Sequence, residues 1–227
     1  MKKVGVILSG CGVYDGSEIH ESVSVLIALA QQGMEAVCYA PNSTQHHVVN
    51  HISGEEMPEK RNVLIESARI ARGQIKDLST FAISDVDAIV LPGGFGAAKN
   101  LSTWAFDGPN ASVNEQVKSV IQEVVKAQKP IVSLCISPVI IAKVFEGTHI
   151  QPNLTVGTTA DSSPYDIKAT SEALQSIGAK TSYTSIQEVL VDEQNKIITA
   201  PCYMMEANVA EVFQNIQKSI QKLAEII

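Results

Sequence analysis

The chain has 227 residues, of which 45% are hydrophobic and 18% charged, and its mean hydropathy is +0.10. A net charge of −7, a pI near 5.2 and scattered Lys and Arg residues argue against a nucleic-acid partner, because phosphate binding requires a concentrated basic face. No apolar run approaches the ~20 residues that cross a bilayer, so we expect no membrane partner and a cytoplasmic location.

The cysteines and histidines form no recognisable metal or disulfide pattern. The four cysteines are Cys11, Cys38, Cys135 and Cys202. They lack CxxC spacing and the density of a secreted disulfide scaffold, so we expect reduced thiols. The five histidines add no zinc-binding spacing, and we predict no metal.

The first half of the chain alternates between short β-branched runs and apolar residues at helical spacing. The predicted elements are a strand at 4–8, a helix at 18–33, a strand at 37–40, a helix at 62–73 and a strand at 89–91. Residues 41–61 are polar and contain Pro, Asn, Ser and Gly, which predicts an insertion or small hairpin. A glycine-rich turn, residues 92–96, follows the last of these strands directly.

The second half continues the alternation. The predicted elements are a helix at 113–127, strands at 130–134 and 154–156, helices at 138–145 and 165–177, strands at 180–183, 189–191 and 197–199, and a helix at 207–227. The last two strands are joined by a polar turn and predict a hairpin. We therefore predict one α/β domain over 1–227: a mostly parallel sheet with helices on both faces and an antiparallel edge hairpin.

Cys135 lies where a buried strand ends and a helix begins. A side chain on that turn stands at the carboxyl end of a parallel strand and over a helix N-terminus, which lowers the pKa of a thiol. The alternative is an inert core cysteine, because free cysteine packs as a small hydrophobe. Cys38, on the second strand, is expected in the core.

Two further loops at strand ends carry candidate partners of this thiol. Gly93 and Gly94 leave N–H groups free to receive an oxyanion, although a tight turn alone would also explain the glycines. Glu18 begins the first helix, where carboxylates are common because the helix dipole favours them. Held protonated by burial, it would donate to a thiolate. The spacing of Glu21 turns it to another face of that helix, so we favour Glu18.

Several segments together closely resemble the bacterial ElbB group, the isoprenoid-biosynthesis glyoxalase proteins. The segments are residues 9–21, 54–55, 61–64, 92–101 and 135–136. That group belongs to the PfpI branch of the class I glutamine amidotransferase-like superfamily. The resemblance covers nearly the whole chain.

The resemblance implies a flavodoxin-like three-layer sandwich and a glyoxalase that needs neither glutathione nor any cofactor. By motif, Cys135 would be the nucleophile and Glu18 the proton-exchanging acid. Gly93, Gly94 and Ile136 would form the oxyanion and substrate-binding part. The loops that carry Cys11 and Cys202 are expected near the same rim, where either thiol could resolve an oxidised Cys135, although unrelated loop cysteines are the alternative. Asn100, at the end of the glycine loop, is also expected at the rim. The partners implied are a small aldehyde substrate and a second copy of the chain in a homodimer.

One departure from the superfamily pattern argues for slow turnover. Ile136 stands where many members have histidine, and His149-Ile150-Gln151 has glutamine where an amidotransferase needs an acid. A missing proton-transfer partner typically costs ~10²- to 10⁴-fold in rate. The alternatives are a non-enzymatic redox-sensing or regulatory thiol and, with less support, an amidase-like hydrolase.

Overall fold

Nine strands form two sheets in the computed structural model, which describes residues 1–227. The strands are β1 (Lys3–Ile7), β2 (Glu35–Ala40), β3 (Ile75–Asp77), β4 (Ala88–Leu91), β5 (Ile131–Leu134), β6 (Asn153–Leu154), β7 (Lys180–Thr181), β8 (Leu190–Asp192) and β9 (Ile197–Ala200). The main sheet has the order β3-β2-β1-β4-β5-β9-β8, and β6 pairs with β7 separately. Every neighbouring pair is parallel except β8 and β9, the edge hairpin.

Eight α-helices connect these strands. They are α1 (Ile19–Gln31), α2 (Val63–Ile70), α3 (Phe95–Lys99), α4 (Trp104–Asp107), α5 (Glu115–Lys126), α6 (Pro138–Phe145), α7 (Ile167–Ser176) and α8 (Val209–Ile226). None has the length and apolarity that crossing a membrane would require. The chain runs outward from β1 in one direction and from β4 in the other, so right-handed crossovers place α1 and α5 on opposite faces. The predicted fold class, including the edge hairpin, is confirmed.

The structure adds three short elements that the sequence pattern did not predict. Strand β3 has three residues, of which only Ile75 is apolar, and it pairs at the edge of the sheet. Helices α3 and α4 have five and four residues and follow the glycine turn. Elements this short carry too little periodicity to be detected, because their order comes from the surfaces they pack against.

Helix α1 buries a different face from the one its large apolar residues suggest. The exposed side chains include Ile19, Val23 and Ile27, which lie beside α8. The buried face is formed by Glu21, Ser22, Ser24, Val25, Ala28 and Leu29. This face turns a carboxylate toward the sheet.

The polar segment at 41–61 contains no helix or regular strand, and its two isolated antiparallel bridges join Thr44 to Asn62 and Val49 to Glu56. It packs against the loop that follows β1, where the main-chain N–H of Val49 donates to Asp15 Oδ2 (2.8 Å). The segment therefore supports the loop from the outside.

Candidate active site

The site lies where the order of the strands reverses. The chain moves from β1 toward one edge and from β4 toward the other, so the loops that follow β1, β4 and β5 meet at one end of the sheet, as expected for ligand sites in such folds. Three main-chain hydrogen bonds join the first two loops: Phe95 N–H to the Val13 carbonyl and Gly96 N–H to the Gly16 carbonyl, both 2.8 Å, and Glu18 N–H to the Gly93 carbonyl, 2.9 Å.

Cys135 occupies a sharp turn between β5 and α6. Its φ is +58°, a left-handed conformation that is uncommon for a residue with a side chain. The turn is held by Cys135 N–H donating to the Ala200 carbonyl (2.9 Å) and by the Ser137 hydroxyl donating to the Pro92 carbonyl (2.6 Å). The predicted strand-turn-helix placement of this cysteine is confirmed.

Gly93 leaves room for two functional groups. A Cβ at this position would stand 2.6 Å from Glu21 Oε2 and 2.8 Å from Cys135 Sγ, closer than atoms can approach. Any residue larger than glycine would therefore push the carboxyl and the thiol apart.

Two main-chain N–H groups point at the Cys135 sulfur, those of Gly94 and Ile136. The N–H of Gly93 instead donates to Glu21 Oε2 (2.8 Å). The expectation that Gly93 supplies an oxyanion donor is therefore wrong: its only N–H is used to hold the carboxylate. Gly94 and Ile136 are the available donors.

Glu21, rather than Glu18, contacts the thiol. The Glu21 side chain is fully buried, hydrogen-bonded to Cys135, and its Oε1 accepts from Tyr203 N–H (3.3 Å). Glu18 caps α1, with Oε2 accepting from Glu21 N–H at 2.6 Å. The expectation that Glu21 faces elsewhere is wrong because α1 turns its small-residue face to the sheet. Residues 21, 25 and 28 lie on that face at helical spacing, which is the signal that was available in the sequence.

Burial controls the ionisation of this pair. It raises the pKa of Glu21 to about 8, with the nearby Glu18 charge adding to the shift. Burial, and then the Glu21 charge, raise the pKa of Cys135 well above its ordinary value. The expectation that the helix N-terminus lowers the pKa of Cys135 is therefore wrong for the resting thiol. The N–H groups of Gly94 and Ile136 favour the anion, but desolvation of the thiolate outweighs them. At neutral pH both Glu21 and Cys135 are therefore mostly protonated.

A cavity of about 230 Å³ opens on the thiol. Its wall includes Cys135, Glu18, Gly94 and Ile136, and burial raises the pKa of Glu18. The sequence did not point to the rest of the wall, which comes from Val13, Phe95, Tyr203, Met204 and the start of α7 (Tyr165, Asp166, Ala169 and Thr170). These residues are assigned to the cavity wall from the tertiary structure alone.

The three expected rim residues lie off the cavity wall. Cys202 is fully buried, with its sulfur by the main-chain N–H of Cys135. Cys11 is half-buried and lies among Asp15, Glu66 and two arginines. No group of three or more His, Cys, Asp or Glu side chains is arranged to hold a metal ion.

Asn100 holds the first loop in place. Its Nδ2 donates to the carbonyls of Ser9 (2.8 Å) and Asp15 (2.9 Å), and its Oδ1 accepts from His46 N–H (2.9 Å). Asn100→Ala is therefore expected to lower the free energy of unfolding by about 1–3 kcal/mol, measured by urea denaturation. The exposed Asn110, which makes no side-chain hydrogen bond, provides the control: Asn110→Ala is expected to cost less than about 0.5 kcal/mol. Equal losses in the two variants would contradict the assigned role.

The fold and the elbow cysteine define an amidotransferase-like protein of the DJ-1/PfpI fold. A solved isoprenoid biosynthesis protein with an amidotransferase-like domain from Ehrlichia chaffeensis superposes with a TM-score of 0.89 at 32% identity, covering 99% of this chain and 100% of that one. Drosophila melanogaster DJ-1beta shares the fold at a TM-score of 0.51 and 15% identity, over 99% of this chain and 96% of that one.

The chain belongs to the ES1 family of glutamine amidotransferase-like class 1 domain-containing proteins. It is 42% identical to the rat mitochondrial ES1 protein homolog, over 99% of this chain and 84% of that protein. It is also 42% identical to human glutamine amidotransferase-like class 1 domain-containing protein 3, mitochondrial, over 99% of this chain and 83% of that protein. No family model matches the sequence.

Proposed function

We propose that this protein is a glutathione-independent glyoxalase, which converts glyoxal and other small 2-oxoaldehydes to 2-hydroxy acids on Cys135. The observation that carries the proposal is the hydrogen-bonded Cys135–Glu21 pair, set on a cavity wall beside the N–H groups of Gly94 and Ile136. This arrangement combines a nucleophile, a proton acceptor and an oxyanion site.

The first step is addition of the thiol to one aldehyde. In the fraction of molecules whose Glu21 carboxyl is ionised, that carboxylate takes the thiol proton as sulfur bonds to the carbonyl carbon. The developing oxyanion lies at the N–H groups of Gly94 and Ile136 and then takes up that proton. The product is a hemithioacetal in which every proton of the thiol and of glyoxal is retained.

The second step moves a proton from carbon to carbon. A base removes the carbinol C–H proton to give an enediol, which is reprotonated on the other carbon and becomes a thioester. Glu18, a carboxyl on the cavity wall, is suited to this transfer. Water then releases glycolate and restores the thiol. The oxidation of one carbon and reduction of the other are internal to the substrate, so the reaction needs no redox cofactor.

The test is conversion of glyoxal to glycolate by the wild-type protein in the absence of glutathione, followed by NMR. We expect turnover above the protein-free rate and, in D₂O, one deuterium at the new carbon–hydrogen position, because the proton passes through an exchangeable group. Turnover with no deuterium would indicate a hydride shift and contradict the enediol step. Absence of glycolate would contradict the proposed function itself.

The other functions considered have less support. A redox-sensing thiol is typically exposed and of low pKa, whereas Cys135 is 6% exposed and its pKa is raised. An amidotransferase-type amidase or glutaminase uses a histidine beside the thiol, but no histidine lies on the cavity wall, and His149 follows the far end of α6.

Membership of the ElbB group, the cytoplasmic location and the homodimer stay predictions. The rat, human and zebrafish relatives are named as mitochondrial proteins, at 42%, 42% and 32% identity. These names describe the location of the relatives, and they do not support a cytoplasmic location for this chain.

A further inference from the structure

The cavity is much larger than glyoxal. A volume of about 230 Å³ corresponds to roughly eight water molecules in the liquid, whereas glyoxal has only four non-hydrogen atoms. Glyoxal bonded to Cys135 would leave most of the wall uncovered. The remaining volume suits a substituent on the carbonyl that does not react with sulfur.

Most of the wall is apolar. The side chains are those of Val13, Phe95, Ile136, Tyr165, Ala169 and Met204. The Phe95 and Tyr165 rings meet edge to face, with centroids 6.1 Å apart. Aromatic rings and aliphatic chains gain about 25 cal/mol for each Å² of apolar surface removed from water, so a hydrophobic substituent would bind in this space.

The charged groups on the wall are all acidic. Glu18 and Asp166 contribute carboxyl groups, and no Lys, Arg or His lines the cavity. Two basic side chains beside the wall residues are engaged outside the cavity: Lys99 Nζ donates to the Tyr14 carbonyl (2.9 Å), and the His20 ring is hydrogen-bonded to the Tyr203 hydroxyl (2.9 Å). A carboxylate or phosphate on the substrate would find no cationic partner and would lie beside two carboxyl groups.

We propose that the site acts on uncharged 2-oxoaldehydes that carry an aryl or alkyl substituent and discriminates against anionic ones. This inference rests on the proposed Cys135 chemistry. The atoms balance as they do for glyoxal: R–CO–CHO and water give R–CH(OH)–COOH, with a phenyl substituent giving mandelate. Ala169, on the exposed face of α7, determines how much room the substituent has.

The first test compares kcat/KM for three aldehydes with the wild-type protein. We expect phenylglyoxal to exceed glyoxal by at least about tenfold and to exceed 4-carboxyphenylglyoxal by at least about tenfold, since a few buried carbons or one unpaired charge have effects of this size. Equal values for phenylglyoxal and its carboxylate, or a preference for glyoxal, would overturn the inference while leaving the glyoxalase proposal standing.

The second test fills the cavity. Ala169→Leu is expected to reduce kcat/KM for phenylglyoxal at least fivefold more than it reduces kcat/KM for glyoxal, because only the phenyl substituent needs the space that the leucine fills. Ser176→Leu places the same residue on an exposed part of α7 away from the cavity and is the matched control. Equal effects of the two substitutions on phenylglyoxal would overturn the role of Ala169 and of the substituent space.

A binding measurement separates the two proposals if no aldehyde is turned over. Acetophenone has the shape of the substrate but no aldehyde to react. We expect it to slow iodoacetamide alkylation of Cys135, whereas 4-acetylbenzoate does not. Protection without turnover would overturn the glyoxalase proposal and keep the ligand class. Equal protection, or none by either ketone, would overturn the ligand class.

Discussion

Cys135→Ser is expected to reduce the rate of glycolate formation from glyoxal by at least roughly 10³-fold, to the rate measured without protein. The serine hydroxyl fits the same space but is a far weaker nucleophile, and the Glu21 carboxylate is too weak a base to activate an alcohol, whose pKa is much higher than that of a thiol. The measurement is the initial rate of glycolate formation by NMR, with folding verified by circular dichroism.

Cys11→Ser is the matched control. It makes the same change at a half-buried thiol that does not reach the cavity, so we expect a rate within about twofold of wild type. If Cys135→Ser retained wild-type turnover, the covalent mechanism would be wrong. Loss in both variants with both folded would also contradict the assignment to Cys135.

Glu21→Gln is expected to lower kcat by about 10²- to 10⁴-fold, because an amide cannot accept the thiol proton. The wild-type pH profile of Cys135 alkylation should contain a step near pH 8, where burial places the pKa of Glu21. The glutamine variant lacks the group that titrates there, so the step disappears. The pair titrates as a unit, and the profile reports both groups together.

Stability provides a separate measurement of the same group. The unfolded chain releases the Glu21 proton near its ordinary pKa of 4.5, whereas the folded protein holds it up to about pH 8. Unfolding therefore releases a proton between these values, and the free energy of unfolding falls as pH rises through that window. Glu21→Gln should flatten this fall. The variant also leaves the N–H of Gly93 or Tyr203 without a carboxyl oxygen, so we expect a lower melting temperature than wild type near pH 5 and a difference that narrows as the pH rises toward 8.

Glu18→Gln separates the two carboxyl groups. Glu18 lies on the cavity wall and does not share a hydrogen bond with the thiol. We therefore expect lower turnover and an alkylation profile that keeps its step but shifts it to lower pH, because the Glu18 charge helps to raise the pKa of Glu21. An alkylation profile that keeps its step in Glu21→Gln and loses it in Glu18→Gln would reverse the two assignments.

The family itself was accessible from local sequence. The short motifs around the first loop, the glycine turn and Cys135 predicted an amidotransferase-like protein, and relatives at 42% identity agree. Recognition of this kind assigns a fold to the chain. It does not say which of two glutamates three residues apart faces the cysteine.

The sequence by itself determined the alternation of strands and helices, the parallel sheet with its edge hairpin, and the position of Cys135 on a strand-to-helix turn. These features depend on local periodicity and on glycine, which each segment carries by itself. The tertiary structure alone decided that Glu21 pairs with Cys135, that Gly93 N–H is occupied, and that burial raises the pKa of the thiol. Orientation and desolvation depend on which elements pack together across 45 to 182 residues of chain, and no local pattern encodes that packing.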